Sequence, residues 1–258
     1  MGPQGGAARG TWFVSARTEK TAFYAVGRGT GGFRDWLTLL HPPYTLWHLS
    51  YVAIGAALVP HPVLWRLGAT MLAFFLAVGI GAHALDELHG HPLGTRLTDR
   101  TLIGLAAVGI GIAAVIGIVG AVVVSWWIAI LVVIGVGLVV AYNLELAGGR
   151  FHTDLWFALG WGGFPALVGY VVNAGRLGWA GVLVAAGCVA VSAAQRALST
   201  PARRLRRHTT ALEGLQQLDD GTQIELSVAM VAAPLDRALV ALSGGVVLLA
   251  IGLVAARW

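Results

Sequence analysis

Residues 102–122 read LIGLAAVGIGIAAVIGIVGAV, twenty-one residues without a charge, a proline or a polar side chain. A helix of that length spans about 30 Å, the thickness of a hydrocarbon core. A buried strand or the buried turn of a soluble helix needs far fewer apolar residues. A second run, 124–144, follows almost at once, so a tight turn must lie between Val122 and Trp127. Outward from this pair, 66–86 and 44–60 lie upstream, and 155–173, 178–198 and 238–256 lie downstream. The reading is all-α: a polytopic transmembrane helical bundle of about seven spans, with eight or nine helices in total left open. The segment 201–233 is mixed. Its apolar piece, 224–233, is too short to span and carries Glu225, which suits a surface or re-entrant helix. Residues 41–258 thus form a single transmembrane domain. Residues 1–40, glycine-rich and basic, precede it as a cytoplasmic segment with a short interfacial helix near 33–37. That segment has no uninterrupted apolar region with a cleavage site, so no cleavable signal peptide is expected.

Composition agrees. Of 258 residues, 57% are hydrophobic and 11% charged, whereas a soluble domain is about a quarter charged. The single cysteine, Cys188, excludes an internal disulfide. Basic residues outnumber acidic ones, 17 to 12, but most flank apolar spans. They read as topology signals and not as a nucleic-acid surface. Thirteen fall before the first span or in the even-numbered loops and three on the other side. By the positive-inside rule the N-terminus is cytoplasmic, in an integral membrane protein of a bacterial cell membrane. Its expected partners are membrane lipid and a lipid-soluble substrate.

Glycine, alanine and valine dominate the spans, and small residues let helices approach closely in lipid. The fifth span departs from this with Gly160, Gly162, Gly163 and Pro165. That grouping should loosen the helix, and loosened helices at membrane depth line cavities.

Three polar groups end spans two, four and six, on one side of the bilayer. After the second come His83, Asp86, Glu87, His89 and His91. His83, Asp86 and Glu87 stand at i, i+3 and i+4, on one helical face. Five potential metal ligands in nine residues are costly to leave facing lipid. Histidines among them suit zinc or iron. After the fourth span come Tyr142, Asn143 and Glu145, and then His152. Two carboxylate-bearing helix ends could share a divalent cation or act as an acid/base pair. After the sixth come Gln195, Arg196, Arg203 and Arg204, in a run that reads as lipid-facing charge or as an anion clamp. His48, near the start of the first span, could enter the same cavity.

With polar helix ends after spans two, four and six, the chain resembles the UbiA superfamily of intramembrane prenyltransferases. That family has the motif Asn-Asp-x-x-Asp-x-x-x-Asp after its second span. Residues 82–90 overlay it, with His83 on the first aspartate, Asp86 on the second and Gly90 on the third. The following 91–97 resembles the basic, proline-containing stretch beyond the motif. Tyr142 matches a frequent tyrosine at the end of the fourth span, and 162–169 resembles the small-residue fifth span. The likeness covers roughly 43–210. The family's second aspartate motif is replaced here by Gln195, Ser199 and arginines. The resemblance implies a transferase that binds a prenyl diphosphate through magnesium and lays the prenyl chain in a lateral, lipid-facing cavity. On it, His83, Asp86, Glu87, Tyr142 and Glu145 would be catalytic. His48, Asn143, Gln195, Arg196, Arg203 and Arg204 would hold substrate. The rivals are a membrane metalloenzyme (hydrolase or oxygenase) using His83, Asp86, Glu87, His89, His91 and His152 to hold zinc or iron, and a non-enzymatic transporter or accessory subunit.

Overall fold

A computed structural model describes residues 32–257; most of the N-terminal segment therefore lies outside the described residues. Each of the seven apolar stretches is helical. A short α1 (Phe33–Leu39) precedes α2 (Pro42–Ala57). Then come α3 (Leu64–Leu88), α4 (Asp99–Val123), α5 (Trp127–Asn143), α6 (Asp154–Ala174), α7 (Trp179–Arg207) and α8 (Val228–Ala255). Five of these, α3, α4, α6, α7 and α8, are long and apolar enough to cross a bilayer. This is an integral membrane protein built as an all-α bundle.

The helices alternate in direction, so the start of α2, the ends of α3, α5 and α7 and the start of α6 meet at one end of the bundle. The C-terminus lies at the other, where Arg257 Nε donates to the Ala57 carbonyl at 2.7 Å. Exposed Trp65, Trp126 and Trp179 sit at that same far end, as an interfacial aromatic belt would.

α2 has 16 residues and is polar for a span, for a reason that packing explains. It lies against α6 and α8, so Thr45, His48, Ser50 and Tyr51 turn into protein and not into lipid. Its crossing with α6 is close. A Cβ at Gly55 would overlap the Ala166 carbonyl, and one at Gly169 would overlap the Val52 carbonyl. Without a hydrophobic drive between helices in lipid, such backbone contact is what holds a bundle together.

The fifth apolar stretch is loosened as its glycines suggest. Residues Ala158–Gly163 of α6 are π-helical, as are Phe75–Ala82 of α3. The glycines do not all line a cavity, however. A Cβ at Gly162 would stand 2.6 Å from Ser192 Oγ and 2.8 Å from the Cys188 carbonyl. Gly163 is equally tight against Val189. These two let α6 lie on α7, whereas Gly160 lines a cavity.

The 201–233 region differs from its sequence reading. α7 runs through Pro201 to Arg207, because alanine, leucine and arginine remain good helix formers beyond the bilayer. An antiparallel hairpin, β1 (Leu215–Gln217) with β2 (Gln223–Glu225), turns at Asp219-Asp220-Gly221. Ile224 therefore belongs to a strand and not to a re-entrant helix, and the last helix starts at Val228.

Candidate functional site

The polar helix ends converge on one chamber of about 120 Å³. α2 contributes Tyr44 and His48, with His41 just ahead of it. α3 contributes His83 and Asp86, and α5 contributes Tyr142 and Asn143. His152, Phe157 and Trp161 come from the start of α6 and the turn before it. α7 supplies Gln195, Arg196, Ser199 and Arg203, then Arg206 and Arg207. Of the residues singled out from sequence, His48, His83, Asp86, Tyr142, Asn143, Gln195, Arg196 and Arg203 all line it.

The histidines are fixed by backbone carbonyls. His48 Nδ1 donates to Trp161 O at 2.8 Å, His83 Nδ1 to Gly79 O at 3.2 Å, and His152 Nδ1 to Tyr142 O at 3.1 Å. His41 stacks on His83, ring centroids 4.2 Å apart, from a left-handed backbone at φ 45. Non-glycine residues hold that conformation only when their surroundings enforce it. Burial, and then the fields of His83 and Arg207, hold the His41 imidazole well below its usual value. Tyr142 stacks on His152 at 4.4 Å and packs, tilted, against Trp161 at 4.5 Å. Gln195 bonds Tyr44.

The arginines divide by partner. Arg196 Nε pairs with Asp154 at 2.6 Å and lies over the Phe157 ring. Arg206 pairs with Asp236. Among the described residues no carboxylate pairs with Arg203. An uncompensated guanidinium in a chamber is a prepared anion site. Arg204, one residue on, points out and is exposed; its placement in the substrate set is corrected. A helix turns about 100° per residue, so Arg196, Ser199, Arg203 and Arg207 share a face that Arg204 leaves.

Four other sequence candidates are placed elsewhere. Glu87 is fully buried and accepts from Leu93 N at 3.0 Å, Thr95 N at 2.9 Å and Thr95 Oγ1 at 2.8 Å. It folds the 91–95 loop, which Asp35 holds from the other side through Arg96 N at 2.7 Å. His91 lies between Glu87 and Asp99 at 3.4 and 3.1 Å. His89 is exposed, its Nδ1 donating to Leu85 O at 3.3 Å. Glu145 adopts a left-handed backbone where α5 ends and is half exposed. Among the described residues no three histidine, cysteine or acidic groups gather to hold a metal. The expected five-residue metal set is thereby corrected. Asp86 is the one carboxylate lining the chamber among the described residues, fewer than the several carboxylates by which the resemblance would hold a magnesium diphosphate. Glu87→Ala should destabilise the fold by about 3 kcal/mol, since three buried donors lose their acceptor. A thermal melt with hydrogen exchange over 91–97 checks this; loss of activity at unchanged stability would return Glu87 to the site.

A second cavity, about 300 Å³ and apolar, runs between α3, α4, α5 and α6. It reaches from Trp65 and Arg66 at the far end to Val78, Val139 and Trp161. Trp161 lines both spaces.

Sequence reading missed Tyr44, His41 and Trp161. A signal was present for two of them. His41, Tyr44 and His48 fall at i, i+3 and i+7, the spacing of a helix face. No protein-family model, curated protein or solved structure matches the chain.

Proposed function

We propose that the protein takes up an amphipathic substrate from the membrane, with its phosphate-type head in the arginine-lined chamber and its hydrocarbon tail in the apolar groove. The observation that carries this is that one side chain, Trp161, lines both spaces. A charged head and an apolar tail need opposite surroundings within one molecule's length. The reaction class this supports is UbiA-like transfer of a prenyl group. The bond between the tail's first carbon and the head-group oxygen breaks with its electron pair on that oxygen, and the same carbon bonds the incoming nucleophile through the nucleophile's own electron pair. Arg203 and its neighbours on α7 neutralise the charge that develops there. Asp86, beside His83, accepts the proton of the incoming nucleophile. No step is assigned to a metal, since among the described residues no three histidine, cysteine or acidic groups gather to hold one. The metalloenzyme reading has no comparable support, its ligands being split between chamber and loop.

The test is binding by the purified full chain in detergent. Hexadecyl phosphate should bind about 100-fold tighter than hexadecanol, since a charge-assisted contact contributes ~2–3 kcal/mol. Equal binding of both removes the head-group assignment.

The thirteen-to-three excess of basic residues supports an orientation with the chamber and the N-terminus on the cytoplasmic side of a bacterial membrane. Cysteines placed at His91, Arg150 and His208, after removing Cys188, should label from that side alone. Labelling from both sides would end this orientation.

A further inference from the structure

Trp161 is 5% exposed and held from several directions. Phe157 lies parallel to it at 5.9 Å, Tyr142 packs at 4.5 Å, and its own carbonyl accepts from His48 Nδ1 at 2.8 Å. The π-helical stretch around it gives up regular helical spacing, which recurs where a side chain must be aimed. Behind it the helix has nowhere to retreat. Gly162 already touches α7 so closely that a Cβ would stand 2.6 Å from Ser192 Oγ. The indole is thus fixed between chamber and groove, both of which it lines, with Val78 and Val139 of its own apolar cluster on the groove side.

We infer that Trp161 is a specificity-determining residue, which selects substrates by the width of the tail directly behind the head group. This rests on the two-compartment reading above. A molecule with its head beside Arg203 and its tail in the groove must pass the flat face of the indole. One slender chain can lie along that face. Two chains joined at the head cannot, unless the ring is displaced from Phe157 and Tyr142. Packed aromatic cores resist such displacement. Trp161 acts on which tail enters, not on the bond that breaks.

The test compares hexadecyl phosphate, with one chain, and dipalmitoyl phosphatidic acid, with two, on the full chain in detergent. Wild type should prefer the single chain by about tenfold or more, as shape-fitted apolar pockets do. Trp161→Ala should bring the ratio close to one, and Trp161→Phe should lower it by about threefold. If Trp161→Ala does not fold, Trp161→Phe decides. A wild type that binds neither phosphate overturns the head-group reading itself. A wild type that binds both equally, or an unchanged ratio in the folded variants, overturns the role of Trp161 and leaves the head-group reading standing.

Discussion

Arg203→Gln should weaken binding of a long-chain phosphate by about 30-fold or more, the cost of removing one partner of a desolvated charge pair. Arg203 is the informative arginine because its neighbours are engaged. Arg196 is held by Asp154 and Arg206 by Asp236, so each would have to leave a carboxylate to serve a ligand. Glutamine keeps most of the length and a donor but no charge. The melting temperature should hold or rise, because a positive charge without a carboxylate partner is removed from a partly buried wall. Arg204→Gln, on the exposed side of the same helix, should leave affinity within about threefold, as for a screened surface charge. Isothermal titration with hexadecyl phosphate reads both. Equal losses at the two positions would mean that general positive charge, and not the chamber, attracts the ligand.

Asp86→Asn should reduce turnover at least about 100-fold, the usual scale for a general base, with the fold intact. Turnover is measured as diphosphate release from a long-chain allylic diphosphate in the presence of membrane lipid. Binding should move the opposite way. Asp86 lines the same small chamber as Arg203, so removing its negative charge lessens repulsion of an anionic head. Weaker turnover together with equal or tighter binding is a signature that misfolding cannot imitate. Asp219→Asn, in the exposed hairpin turn, is the control and should change neither. Full activity in Asp86→Asn would remove it from the chemistry.

Much of this architecture is legible in the sequence, and its errors have physical causes. Hydropathy reports where lipid ends, not where a helix ends. So α7 continues nine residues past the apolar run that closes at Leu198, and α8 starts ten before the run at 238. Conversely, α2 looks weak as a span because its polar side chains face other helices. The site shows the same limit. Spacing of three and four residues puts His83, Asp86 and Glu87 on one face, but such a face is wide enough to meet two neighbours. His83 and Asp86 meet the chamber, whereas Glu87 meets the returning loop, whose left-handed turns at Gly90, His91 and Gly94 bring Leu93 and Thr95 back to it. No single-sequence pattern announces that return. Arg203 and Arg204 were inseparable for a different reason. Their phase matters only if the helix continues past Pro201, which it does.

The most direct measurement is to photolyse the protein with a long-chain alkyl phosphate carrying a diazirine at the tail end, and to map the labelled peptides. Label should fall on the groove walls of α4 and α5, between Ile110 and Val139, and should be lost in Arg203→Gln. Label spread over the outward faces of α7 and α8, or unaffected by Arg203→Gln, would contradict the account of one molecule with its head in the chamber and its tail in the groove.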